Sequence, residues 1–183
     1  MDINQSFFGM LRNSKKYRDL YKTIEGRISI LGAVVLSGFI AKYLVAIPVE
    51  DVNGLLMNIS LIFIPCLIAL LGITFTGLAF VSGTVSLKAT KNLLKKNKIQ
   101  SLINIFFTFY FLGWITAITI FLYIFVFIAA ISDLAINLWT AFIISMPITY
   151  FTLFIILYSV GLFDTCIKIF FVNYKYNDDD NDN

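Results

Sequence analysis

Four long apolar blocks separated by three polar breaks dominate the 183-residue chain. Charge-free stretches cover 52–87, 99–132 and 134–163, and each exceeds the ~20 residues that carry a helix across the hydrocarbon core. The first block, 28–47, is of similar reach and is interrupted only by Lys42, which can snorkel outward beside Tyr43. The pattern predicts an all-α integral membrane four-helix bundle with spans at 28–47, 55–82, 108–132 and 137–163, forming one transmembrane domain over 28–176.

Charge orients the spans. Of the 14 Lys and Arg, Arg12, Lys15, Lys16, Arg18, Lys22 and Arg27 precede span one, and Lys88, Lys91, Lys95, Lys96 and Lys98 crowd the central break. The other two breaks carry acid, Glu50 and Asp51 in one and Asp133 in the other. Basic residues favour the cytoplasmic side, so both termini and the central break are placed in the cytoplasm. Nearly thirty polar and basic residues stand before the first span, unlike the short basic region of a cleavable leader, and that span is expected to be retained.

The flanks have patterns of their own. Phe7, Met10, Leu11, Tyr17, Leu20, Tyr21 and Ile24 recur at helical spacing among basic residues, which predicts an amphipathic helix over 1–27 on the membrane surface, bending at Gly26. Residues 83–107 contain no Pro and no Gly after Gly83, and Tyr110 and Trp114 mark an inner aromatic belt. A cytoplasmic helical hairpin over about 83–107 between spans two and three follows, turning near Asn97. The acidic end, 177–183, is expected to be disordered.

Small and hydroxyl residues run in stripes. Span one has Ser29, Ala33, Ser37 and Ala41 four apart, a face that admits a second helix closely. In span two Asn58, Ile62, Pro65, Ala69, Gly72, Thr76, Ala79, Gly83, Ser86 and Thr90 step by four and three, a seven-residue repeat that stays on one face. Span four has Ser145, Thr149, Thr152, Ile156 and Ser159. Pro65 and Pro147 are expected to kink their helices. Span three carries Phe106, Phe107, Phe109, Phe111, Phe121, Phe125 and Phe127, which suit a lipid-facing or a packing helix. Asp164 and Lys168, four apart, are placed to pair.

Composition narrows the chemistry. At 59% hydrophobic and 14% charged residues, the chain is too apolar for a soluble domain. The net charge of +3 sits beside the spans, where it meets lipid headgroups; no direct nucleic-acid contact is expected. With no histidine, no CxxC pair and no phosphate-binding glycine loop, no catalytic residue, metal site or cofactor is expected, and the chain is read as a non-enzyme. Cys66 and Cys166 fall in opposite halves of the bilayer and are expected to act as small hydrophobes. Ion-coupled transport is disfavoured, since only Lys42 and Asp164 approach the hydrocarbon and no inverted repeat is evident.

The candidate pore-lining or helix-packing residues are therefore Asn58, Ala69, Gly72, Thr76, Ala79, Gly83, Ser145, Thr149, Thr152 and Ser159. Lys91, Lys95, Lys96 and Lys98 are the candidate partner-binding surface. Four spans enclose too little space for a pore in one chain, so a conduction path would need a cyclic homo-oligomer. The competing expectation is that these residues only pack helices and bond to their own backbone, in a non-conducting anchor or accessory subunit that recruits a soluble partner.

The segment 68–83, IALLGITFTGLAFVSG, followed by a lysine-rich stretch, resembles the second-span region of small bacterial four-span proteins of anti-phage and abortive-infection loci, which are holin-like membrane effectors. The resemblance implies an effector that disrupts the membrane when a soluble cytoplasmic sensor releases it, and it carries no functional residue with it.

Overall fold

The computed structural model describes residues 18–84, 99–132 and 138–178, which are helical almost throughout and contain no strand. The helices are α1 (Asp19–Lys22), α2 (Ile24–Ala46), α3 (Val49–Thr84), α4 (Ile99–Ile131) and α5 (Leu138–Asp178). Among the described residues four helices, α2 to α5, are long and apolar enough to cross a membrane, the number and order that the hydropathy pattern predicts. Residues 1–17 of the expected amphipathic helix, 85–98 of the expected hairpin, the turn at 133–137 and 179–183 of the acidic end lie outside the described residues.

α2 starts a turn earlier than 28 because Thr23 caps it. Thr23 takes an extended backbone, and its Oγ1 accepts the Gly26 N–H at 3.1 Å, satisfying one of the helix's free donors. The chain therefore bends at Thr23, and Gly26 lies inside the helix. α3 and α5 continue through Pro65 and Pro147.

The helices do not pack in chain order. α2 lies along α5, α3 lies along α4, and α4 with α5 joins the two pairs. Consecutive α2 and α3 make no interface of comparable extent. α2 to α5 meet at the end formed by Ala46, Val49, Ile131 and Leu138, here the loop end. From there α2 reaches about 35 Å and α5 about 62 Å at ~1.5 Å per residue, so α3, α4 and α5 all project beyond α2 at the opposite, terminal end.

Hydrocarbon solvates apolar side chains as well as a neighbouring helix does, so close approach and hydrogen bonding hold such helices together. α2 meets this condition with its small stripe: Ser29, Ala33 and Ser37 are fully buried and Ala41 nearly so. At Gly32 a Cβ would stand 2.9 Å from Leu153 Cδ1 of α5. α4 is the central helix. Phe109, Phe111, Leu112, Ile115 and Tyr123 join Leu67 and Val81 of α3 and Phe154, Ile155, Tyr158 and Leu162 of α5 in the main core. Both expectations for the span-three aromatics hold on different faces, since Phe107, Phe109 and Phe111 point inward while Phe121 and Phe125 are exposed. A smaller cluster of Ala41, Leu44, Val52 and Ala141 closes the loop end.

Candidate functional site

The stripe of α3 faces away from the protomer. Beyond Val52 and Asn53 near the loop end, the buried positions that α3 turns toward its neighbours are Ser60, Leu67, Thr74 and Val81. Ala69, Gly72 and Thr76 each stand two residues from one of them, about 200° round the helix. Asn58, Ala69, Gly72, Thr76, Ala79 and Gly83 are all exposed, and a Cβ added at Gly72 or Gly83 would meet nothing within 4 Å. The Asn58 side chain has no hydrogen bond among the described residues and lies about 10 Å along α3 from Asp51 at ~1.5 Å per residue. In hydrocarbon an unpaired amide is costly.

The α5 hydroxyls go elsewhere. Ser145, Thr149 and Thr152 line a crevice of about 370 Å³ in the loop-end half, between α2 and α3 where those helices do not pack. Leu36, Ile40, Ile59, Phe63, Val126 and Ile148 supply most of its other walls. Of its polar side chains, Ser145, Thr152 and Tyr123 are engaged. Ser145 donates to Phe142 O, Thr152 donates to Ile148 O at 2.8 Å, and Tyr123 Oη lies 3.2 Å from Thr152 Oγ1. Water needs two or more polar partners to stay in such a space. Apart from Thr149, the rest of its wall is apolar, so the crevice suits hydrocarbon rather than water. Ser159 donates to Ile156 O and takes no part in the crevice. The α3 and α5 candidates are thus not brought together, and several hydroxyls among them bond to their own helix, as Thr76 does to Gly72 O.

A third arrangement was not legible in the stripes. At the terminal end, Tyr158 donates to Asp19 Oδ2 at 3.0 Å, and Tyr150 donates to the Leu20 carbonyl at 2.6 Å. Both tyrosines belong to a ladder along α5: Tyr150, Phe154 and Tyr158 stack in turn with centroids 6.2 and 4.9 Å apart. Thr108 of α4 faces the Tyr158 phenol, and Glu25 Oε1 lies 3.8 Å from where a Gly161 Cβ would stand. Asp19 and Leu20, just before α2, are therefore folded onto α5, with a carboxylate held between helices. A Tyr–Phe–Tyr run at four-residue spacing in an Ile/Leu/Phe span was the available signal, because a phenol in lipid needs a polar partner.

No family model, curated protein or solved structure matches the chain.

Asp164 and Lys168 form the expected ion pair, but both side chains are well exposed, and such a pair contributes little. Among the described residues no group of three or more His, Cys, Asp or Glu gathers; Cys66 and Cys166 are free thiols. Lys91, Lys95, Lys96 and Lys98 lie outside the described residues.

Proposed function

We propose that the chain is the protomer of a cyclic homo-oligomeric channel or pore-forming effector that perturbs membrane potential. The observation that carries this is the outward stripe of α3. A seven-residue repeat of small residues is exposed along the helix, with the unpaired Asn58 amide on the same face. Small faces let backbones approach, and interhelical hydrogen bonds reward the approach in lipid. The same device is already used inside the protomer, where the small stripe of α2 seats α5.

The crevice between the helices offers no aqueous route, because its wall is almost wholly apolar and its Thr152 and Tyr123 hydroxyls are bonded. A conducting path would lie between copies, with the α3 stripes at or beside it. In this proposal the basic ends face the cytoplasm of a bacterial inner membrane, and 83–107 forms a helical hairpin whose Lys91, Lys95, Lys96 and Lys98 meet a soluble sensor. The amphipathic segment 1–27 lies on the same side. The resemblance of 68–83 to anti-phage membrane effectors gives the setting.

The test is the oligomeric state in lipid nanodiscs together with conductance in planar bilayers. A closed ring with current is the expected result, and loss of both on replacing Gly72 or Thr76 with Leu assigns them to the stripe. A monomer without current would sink the proposal and leave the second reading, a non-conducting anchor for a soluble partner, which the apolar crevice of the protomer favours. In that case function would fall on neutralising the four lysines and survive Gly72→Leu.

A further inference from the structure

Residues 19–22 are seated by specific contacts yet shallowly. The last four carbonyls of any helix lack intrahelical partners, and in the four-residue α1 that includes Asp19 and Leu20. Each finds its partner only in the docked position or through the cap. Asp19 O accepts the Thr23 hydroxyl at 2.6 Å, and Leu20 O accepts Tyr150 Oη at 2.6 Å. The Asp19 carboxylate takes the Tyr158 hydroxyl. The two phenols stand eight residues apart on one helix and grip two consecutive residues of the turn.

Gly26 makes the seat possible. A Cβ there would stand 2.7 Å from the Leu20 carbonyl carbon and 2.8 Å from Asp19 O, inside any real contact distance, so the backbone of α1 rests directly on α2. Leu20 packs against the main core, but no residue of α1 is fully buried, and Tyr21 and Lys22 are exposed. Two phenol hydrogen bonds and one partly buried leucine are among the contacts that hold the turn, on a footprint short beside the long packed faces of α2 to α5.

We propose that residues 19–22 are an autoinhibitory latch. Docked on Tyr150 and Tyr158, they hold the turn before α2 against α5 in the closed protomer; undocking frees the turn while the long α2–α5 face stays packed. What the latch gates rests on the channel proposed above, while the docking itself is read without any current.

The experiment is limited trypsin digestion of the full-length protein in nanodiscs, following cleavage after Lys22 by mass spectrometry. A protease needs an extended backbone, so cleavage reports undocking. Tyr150→Phe with Tyr158→Phe removes both hydroxyls and keeps both rings; cleavage should rise about tenfold, the sum of two modest hydrogen bonds. Gly26→Ala leaves both phenols in place and places a methyl group against the α1 backbone, and it should raise cleavage in the same direction. Tyr43→Phe, a hydroxyl loss at the loop end, should leave the rate unchanged. Circular dichroism checks that each variant keeps its helices, and Gly26→Ala alone decides if the double variant does not fold. An unchanged rate in Gly26→Ala overturns the latch. Faster cleavage with higher conductance supports both latch and channel; faster cleavage without current supports the latch and removes the channel.

Discussion

Phe63 of α3 and Tyr123 of α4 stack with ring centroids 5.2 Å apart and planes 3° from parallel, and the same Tyr123 reaches Thr152 of α5 through its hydroxyl. One side chain thus joins three helices at the floor of the crevice. Tyr123→Phe keeps the stack and loses the hydroxyl contact, which should cost about 0.6 kcal/mol, the usual value for an interhelical hydrogen bond in lipid. Tyr123→Ala removes both and should cost about 3 kcal/mol or more. Reversible unfolding in mixed micelles separates the two; equal losses would show that the stack contributes nothing.

Gly72 and Gly77 stand five residues apart on α3 and make opposite predictions. A Cβ at Gly77 would stand 2.9 Å from the Phe109 ring, whereas one at Gly72 would meet nothing. Gly77→Leu should therefore unseat α3 from α4 and lower protomer stability by about 2 kcal/mol, in the range of overpacked cores. Gly72→Leu should leave the protomer as stable as the parent and change only its association. Thermal unfolding of the protomer beside analytical ultracentrifugation reads both.

Ser60 is fully buried, and its hydroxyl has no hydrogen-bond partner among the described residues. Burying an unpaired hydroxyl is unfavourable, so Ser60→Ala should stabilise the protein, by about 1 kcal/mol. A lower melting temperature in this variant would mean that the hydroxyl has a partner in the membrane.

Ala33 and Ser37 show no exposed surface on the α2 face that meets α5. Leu at either position should separate the helices and destabilise by about 1–3 kcal/mol, the usual cost of overpacking. Leu at Val35, an exposed position on the same helix, should be neutral. Comparable melting temperatures for all three variants would refute the assignment of the α2–α5 face.

Much of the fold was legible in the chain because one physical requirement governs it. A segment of about 20 apolar residues needs no partner to be read as a membrane-crossing helix, and the four helices appear where hydropathy places them. The i, i+4 pair Asp164–Lys168 was legible for the same reason, being local. The candidate site was legible only as stripes. The stripes of α2 and α3 both read as close-packing faces, yet one is buried against α5 and the other is left outside. Residue type alone does not distinguish them, because small residues suit either situation.

The linear order of apolar and charged residues therefore determined the number of spans, their approximate limits and the local hydroxyl bonds, all of which arise within a single helix. Tertiary structure alone decided which helix lies beside which, that the α5 hydroxyls line an apolar crevice, and that Asp19 and Leu20 are held by phenols 139 and 130 residues away. Such contacts depend on side-chain fit between segments far apart in the chain, and no period within one helix encodes that fit.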